Sequence, residues 1–255
     1  MRSAATLRIT RIADSHVQHL GPFDGRAVLV VVGRQNQLRR SAPIDAIAAG
    51  LHGPDLSVCW HERPGALHAR LREQALDRMR HRWLGQLTAD HPHAGRLALK
   101  TVRLVLKMRH PKRRAWVGPR LQPGATPPDA ELADFIRHLR ARQVFLLGHS
   151  AGGRLASLLD AEPKVTRLVC FGYPFKHPDL PEEPARTAHL PAMTKPFLIL
   201  QGDQDSYGTP ADAARYALSP TIVLEPIAAD HDYAALSPQQ IMALTQRIRR
   251  FLGLI

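Results

Sequence analysis

The 255-residue chain has little of several features that would place it in particular protein classes. Its two cysteines, Cys59 and Cys170, each lie in an apolar run typical of a strand, which excludes a disulfide framework and predicts buried thiols. No apolar run is long enough to span a bilayer. The first residues also lack the continuous apolar core of a secretory signal. We therefore expect a cytoplasmic protein.

Sequence signatures of nucleotide, metal and nucleic-acid binding are also missing. The early strand ending at Gly33 is not followed by Gly-x-Gly-x-x-Gly, and no P-loop occurs. The 14 histidines are scattered, and His91 and His93 have no partners at metal-ligand spacing. An aromatic content of 5% argues against base stacking. We expect no cofactor, no metal and no nucleic-acid partner.

Apolar runs alternate with helical patterns along the chain. The continuous apolar run 27–32 is typical of a buried parallel strand, and further strands are predicted at 56–60, 144–147, 165–171 and 197–201. Weaker strand patterns lie at 6–12 and 221–225. Helices are predicted over 43–51, 130–141 with Asp129 as N-cap, 151–160, 210–218 and 238–252. This order predicts an α/β fold in one domain, 1–255, with a doubly wound, mostly parallel sheet.

About eighty residues separate the second apolar strand from the third, far more than a crossover helix needs. We therefore predict an insertion over 66–128 that acts as a cap within the domain. Apolar residues from Leu67 to Leu87 recur at a spacing of four and predict an amphipathic helix. A second helix is predicted over 96–108.

The insertion carries much of the chain's formal net charge of +13, because it contains no acidic residue from His91 to Pro128. Its basic residues include Arg96, Lys100, Arg103, Lys107 and the run 112–114. One interpretation is a cap over Ser150 that selects an anionic or lipid-like acyl substrate. Another is docking of residues 96–114 on an anionic membrane surface. The plainer alternative is a solvated helical face, which the sequence favours because charge runs usually have that role.

A single stretch, 144–156, combines a strand pattern, a sharp turn and a helix. The turn reads Gly148-His149-Ser150-Ala151-Gly152, which is typical of a nucleophile elbow. Its glycines leave room for a serine with a strained backbone. The alternative is an ordinary turn rich in glycine and serine, unless a base and an acid follow in the right order.

An acid and a base do follow, after two later strands. Asp205 and its close rival Asp203 come just past the strand 197–201, and His231 comes after the last strand. In parallel α/β sheets such loops meet at the carboxyl edge, and the order Ser, acid, His is the expected one. Asp230 and Asp232, which flank His231, are expected to serve local turns.

These residues resemble the α/β-hydrolase superfamily, and from 148 onward its dienelactone-hydrolase-like branch of the KANSL3/Tex30 type. The matching stretches are 148–157, 168–175, 186–190 and 201–205. The resemblance implies an α/β-hydrolase fold with a helical basic insertion before the nucleophile strand. It also implies Ser150 as nucleophile, Asp205 as acid and His231 as base.

The chain departs from this family where the second oxyanion-hole donor belongs. The usual His-Gly-x-Gly is replaced by Val32-Gly33-Arg34-Gln35. The hole uses backbone N–H groups, so Ala151 and Arg34 are the candidate donors.

We expect a serine hydrolase that cleaves an ester, thioester or related acyl bond of a small molecule through an acyl-enzyme. The alternative is a catalytically weak or inactive hydrolase-fold protein that binds or scaffolds a partner.

Overall fold

The structure is a computed structural model that describes residues 7–12, 15–23, 27–34, 40–62, 76, 78, 79, 83, 85–108 and 127–255. Within these residues eight strands form one sheet in the order β1-β2-β4-β3-β5-β6-β7-β8. The strands are β1 Arg8–Ile12, β2 Ser15–Leu20, β3 Ala27–Val32, β4 Leu56–His61, β5 Gln143–His149, β6 Val165–Phe171, β7 Phe197–Gly202 and β8 Ile222–Ile227. The pairs β1–β2 and β2–β4 are antiparallel, and the remaining pairs are parallel.

Helices connect these strands. They are α1 Ala42–Leu51, α2 Gly85–Asp90, α3 Pro92–Met108, α4 Pro128–His138, α5 Ala151–Ser157, α6 Pro210–Ala213 and α7 Pro238–Leu252. Two single 3₁₀ turns, Pro184–Arg186 and Leu190–Ala192, lie in the long connection between β6 and β7.

Both faces of the sheet are buried at strands β3, β4 and β7, which explains their largely apolar sequences. In β3, Val28 and Val30 join a core cluster with residues of α4, whereas Leu29 and Val31 join a second cluster with residues of α1 and α7. Successive side chains of a strand point to opposite faces, so a strand covered on both sides must be apolar throughout. The predicted α/β fold with a doubly wound, mostly parallel sheet is confirmed.

Three helix predictions were wrong at their ends. Asp129 is not an N-cap: Pro127 holds that position, and Asp129 lies in the first turn, where its charge complements the helix dipole. The helix after Ser150 ends at Ser157 rather than at residue 160. The helix predicted over 210–218 stops at Ala213, because the hydrogen bonds of Arg215 and Tyr216 tighten to the i to i+3 pattern.

The chain divides into two compact units, one made of Met1–Glu62 with Pro127–Ile255 and the other of Arg63–Thr126. In the second unit, the helix predicted over 96–108 is confirmed as α3, which begins at Pro92. The helix predicted from Leu67 to Leu87 lies mostly outside the described residues. Among the helices that are described, none is long and apolar enough to cross a bilayer.

Candidate active site

Ser150 occupies a strained turn between β5 and α5. Its backbone has φ 54° and ψ −121°, in the left-handed half of conformational space that non-glycine residues rarely adopt. The Ser150 N–H donates to the carbonyl of Phe171 at 3.0 Å, so the turn is tied to the adjacent strand β6. The Ser150 hydroxyl therefore lies just beyond the carboxyl end of β5, at the edge of the sheet.

Close backbone packing explains the glycines around Ser150. A Cβ added to Gly152 would lie 2.1 Å from the carbonyl oxygen of Val32, at the end of β3. A Cβ added to Gly148 would lie 2.3 Å from the backbone of Gly153. The turn therefore fits only because these positions have no side chain.

His231 lies in the loop after β8 and contacts Ser150 directly. Its Nε2 atom lies 2.8 Å from Oγ of Ser150, and its Nδ1 atom lies 2.8 and 2.9 Å from the two carboxylate oxygens of Asp205. A carboxylate can only accept, so the proton of the neutral imidazole lies on Nδ1. Nε2 is then free to accept the Ser150 hydroxyl hydrogen.

Asp205, and not Asp203, is the carboxylate that contacts His231. Asp205 is 1% exposed in the loop after β7, and its Oδ1 also accepts the N–H of Tyr207 at 2.8 Å. Asp203 is exposed, and its carboxylate accepts the N–H of Ala229 at 3.2 Å. The structure thus brings Ser150, His231 and Asp205 together in one chain of hydrogen bonds.

The two aspartates that flank His231 have different roles. Asp230 accepts the N–H groups of Asp232 and Tyr233 at 3.0 and 2.9 Å, which is the local turn expected for it. For Asp232 that expectation was wrong, because its carboxylate forms an ion pair with the side chain of Arg34. This long-range contact could not be predicted from local turn chemistry.

A cavity of about 440 Å³ opens beside the Ser150 hydroxyl. Polar and charged groups supply most of its lining. Its residues are Arg34, Ser150, Ala151, Pro174, Arg186, Gln204, Ser206, Tyr207, Asp230, His231 and Asp232.

A family model described as "Alpha/beta hydrolase domain" matches residues 112–250, which is more than half of the chain. The chain belongs to this α/β-hydrolase family. The predicted superfamily is therefore confirmed. The comparison with curated proteins finds no match for the hydrolase.

Solved structures show the same fold. A carboxylesterase, CesB, from Bacillus subtilis is 12% identical, with a TM-score of 0.55, and 98% of this chain and 92% of that one are covered. An α-β serine hydrolase homologue from Coxiella burnetii is 13% identical, with a TM-score of 0.53 and 99% of both chains covered. The esterase domain of a Rhodothermus marinus protein is 11% identical, with a TM-score of 0.54 and 96% of both chains covered.

The two predicted oxyanion donors of the hydrolase, Ala151 and Arg34, both line the cavity beside Ser150. Ala151 is the first residue of α5, so its N–H has no acceptor within the helix and is available to a ligand. Arg34 follows the end of β3, and its side chain donates to Asp232. This hydrogen bond lowers the pKa of Asp232 and keeps it ionised. The pair links the end of β3 to the loop that carries His231.

Gln201 is a buried polar residue whose role the sequence did not reveal. It lies within β7, and its side-chain N–H groups donate to Asp205 at 3.0 Å and to the carbonyl of Gly208. Its side-chain oxygen accepts the N–H of Tyr173 at 2.9 Å. The side-chain hydrogen bonds of Gln201 therefore connect the loops around Asp205. A polar residue inside an apolar strand was the signal that could have identified it.

His149 is a second residue that sequence reasoning left without a role. Its side chain is buried, and Nε2 donates to the carbonyl of His231 at 2.9 Å. Burial lowers the pKa of His149 to about 4, so the ring is neutral near pH 7. Its Nδ1 has no hydrogen-bond partner among the described residues. His149 thus holds the backbone of the loop that presents His231.

Aromatic and basic side chains complete the site. The ring of Tyr207 lies 4.3 Å, centroid to centroid, from that of His231. Tyr173 is buried, and its hydroxyl donates at 2.6 Å to the carbonyl of Arg186, a residue that lines the cavity. Within the described ranges, no group of three His, Cys, Asp or Glu side chains is placed as metal ligands would be.

Proposed function

We propose that this α/β-hydrolase is a serine hydrolase that cleaves an ester, thioester or related acyl bond through an acyl-enzyme. One observation carries the proposal: Oγ of Ser150 lies 2.8 Å from Nε2 of His231, whose Nδ1 lies 2.8 Å from Asp205. A serine hydroxyl is a weak nucleophile until a base takes its proton, and the base needs a group that fixes its tautomer. The adjacent side chains of Ser150, His231 and Asp205 support the proposal, because they are a nucleophile, a base and an acid of the kinds that this chemistry needs.

In the proposed reaction, Oγ of Ser150 bonds to the acyl carbon while its proton moves to Nε2 of His231. The carbonyl oxygen becomes an oxyanion. His231 then gives its proton to the leaving alcohol or thiol, and an acyl-Ser150 intermediate remains. In the second half, His231 takes a proton from water as the hydroxyl attacks, and Ser150 leaves with that proton. Asp205 stays ionised and orients His231 throughout.

The oxyanion needs backbone donors in this proposal. The N–H of Ala151 is the first donor, because it stands at the N-terminus of α5, where the helix dipole also favours negative charge. The N–H of Arg34 is the second. Removing one such donor typically costs about 2.7–4 kcal/mol of transition-state stabilisation.

The cavity supports a small, polar acyl substrate. Arg34, Arg186, Gln204 and Ser206 place polar groups around the reacting hydroxyl, whereas a long alkyl chain would need an apolar lining. No cofactor takes part in the proposed reaction, because its proton transfers use Ser150, His231 and water.

Hydrolysis of p-nitrophenyl acetate by the purified protein tests this proposal. We expect Ser150→Ala to lower kcat by roughly 10⁶-fold or to the background rate. Ser206→Ala is the matched control, since Ser206 lines the same cavity and is exposed. Equal rates for the wild type and Ser150→Ala would refute the proposal. They would favour the alternative, a hydrolase-fold protein that binds or scaffolds a partner without turnover.

Three further assignments belong to the same proposal. Within the α/β-hydrolases, we assign the protein to the dienelactone-hydrolase-like branch of the KANSL3/Tex30 type. The stretches 168–175 and 186–190 support this assignment, and the second of them begins with the cavity residue Arg186. Residues 66–128 are an insertion in a single hydrolase domain, supported by their place after β4 and up to the first residue of α4. The location is cytoplasmic, supported by the two free, buried thiols of Cys59 and Cys170.

A further inference from the structure

Helix α3 in the second unit carries an exposed apolar stripe. Leu97 is 68% exposed, Leu104 is 58% exposed and Val105 is 44% exposed. Positions 97, 104 and 105 are separated by seven and one residues, so helical periodicity places them on one side of α3. Large aliphatic side chains grouped in this way are unusual on a surface that only faces water.

The opposite side of α3 is less exposed. Gly95 is buried, and Leu99 and Val102 are half-buried. These three positions are spaced by four and three residues and form a separate stripe. The helix therefore already has an apolar face for packing, and the exposed stripe of Leu97, Leu104 and Val105 is additional to it.

Basic residues border the exposed stripe. Arg96 and Lys100 are both exposed, and each is within four residues of Leu97 along the helix. The sequence from His91 to Pro128 contains nine Lys and Arg residues and no Asp or Glu. A helix with exposed leucines beside a wholly basic flank is typical of a segment that lies in the interface of an anionic membrane.

We propose that α3 docks this protein on anionic lipid surfaces, with Leu97, Leu104 and Val105 inserted among the acyl chains and Arg96 and Lys100 against the headgroups. Charge complementarity selects an anionic surface, and the exposed leucines select lipid over nucleic acid. Nucleic-acid binding would use the positive charges but would leave the aliphatic stripe in water. The proposal does not depend on the reaction at Ser150.

Vesicle flotation of the full-length protein tests the docking. The probes are vesicles of phosphatidylcholine alone and of phosphatidylcholine mixed with phosphatidylserine, each at low and high salt. We expect binding to the mixed vesicles that weakens as salt rises, and little binding to neutral vesicles. Equal or negligible binding to both kinds of vesicle would overturn the proposal. So would a gel shift of duplex DNA or RNA without vesicle binding.

Two double variants separate the two parts of the interface. Arg96→Gln with Lys100→Gln should weaken binding by about 30-fold, at about 1 kcal/mol for each charge. Leu97→Ser with Leu104→Ser should weaken it by at least roughly tenfold without changing the charge. The matched control is Met242→Ser with Arg140→Gln, which alters exposed residues of the other unit and should bind as the wild type does. A leucine variant that binds normally would contradict insertion, and circular dichroism of each variant checks that α3 is retained.

Discussion

The side-chain amide of Gln201 donates to Oδ2 of Asp205 at 3.0 Å, while the two oxygens of Asp205 face Nδ1 of His231. Both residues are almost fully buried. The position of the Asp205 carboxylate is therefore fixed by two contacts, one with the amide of Gln201 and one with the imidazole of His231. Gln201 acts as a positioning residue, because it does not line the cavity itself.

Replacing Gln201 by Leu should lower kcat by about 10–100-fold with little change in KM, because Asp205 loses a partner that fixes its position. The buried N–H of Tyr173 also loses its acceptor, so the free energy of unfolding should fall by roughly 1–3 kcal/mol. Steady-state kinetics and urea unfolding measure the two effects. Gln204→Leu is the control: Gln204 lines the cavity, so KM should change and kcat should not. A kcat for Gln201→Leu equal to that of the wild type would contradict the positioning role.

The neutral, buried ring of His149 predicts a pH dependence of stability. Its pKa is about 4 in the folded protein, against 6.5 ordinarily, so between these values the unfolded chain binds more protons. The free energy of unfolding should therefore decrease as pH falls from 6.5 towards 4. A pKa difference of about 2.5 corresponds to a loss of about 3 kcal/mol.

The comparison of the wild type with His149→Gln isolates this contribution from that of the other histidines. Urea unfolding between pH 4 and 7 should show the wild type losing stability more steeply than the variant. His138→Gln serves as a control, because the His138 side chain is 53% exposed and should not alter the slope. Parallel profiles for the wild type and His149→Gln would show that His149 titrates normally.

Backbone chemistry at residue 34 can be tested separately from its side chain. Arg34→Pro removes the N–H proposed to bind the oxyanion, whereas Arg34→Ala keeps it and loses only the ion pair with Asp232. The preceding Gly33 tolerates the restriction that proline places on its neighbour. We expect kcat of Arg34→Pro to be about 10²–10³-fold below that of Arg34→Ala. Equal kcat values in two folded variants would assign the second donor to another group.

Packing of the elbow against β3 predicts a large effect of one methyl group. Gly152→Ala would place a Cβ 2.1 Å from the carbonyl oxygen of Val32, so the free energy of unfolding should fall by about 1–3 kcal/mol or more. Thermal unfolding measures the change. Gly53→Ala is the matched control, because its nearest neighbour is an Arg249 side-chain atom at 3.7 Å. A stable Gly152→Ala protein would mean that the elbow and β3 can separate.

Residues that follow strand ends could be placed from the sequence. Ser150, Asp205 and His231 each come just after a strand of a parallel sheet, and the carboxyl ends of such strands meet at one edge. The strands 27–32 and 165–171 were predicted with the observed bounds. In 27–32 burial on both faces requires an unbroken apolar run, whereas 165–171 has such a run only over its last four residues, 168–171.

Contacts that depend on the folded loops could not be placed in this way. His149 donates to a carbonyl 82 residues away, and Arg34 pairs with Asp232 across 198 residues. A backbone carbonyl can belong to any residue type, and nothing near Arg34 in the sequence distinguishes Asp232 from the other acidic residues. The exposure of the leucines of α3 could not be predicted either. Periodicity shows which residues share a face of a helix but not whether that face is covered.

In the proposed reaction, Ser150 is a nucleophile activated by His231. Treatment of the purified protein with a fluorophosphonate, followed by mass spectrometry of the digested adduct, tests it directly. We expect one phosphonate per chain on the peptide that contains Ser150, with labelling abolished in Ser150→Ala and strongly slowed in His231→Ala. Absence of a Ser150 adduct in the folded wild-type protein, or an adduct that forms equally well in His231→Ala, would show that His231 does not activate Ser150.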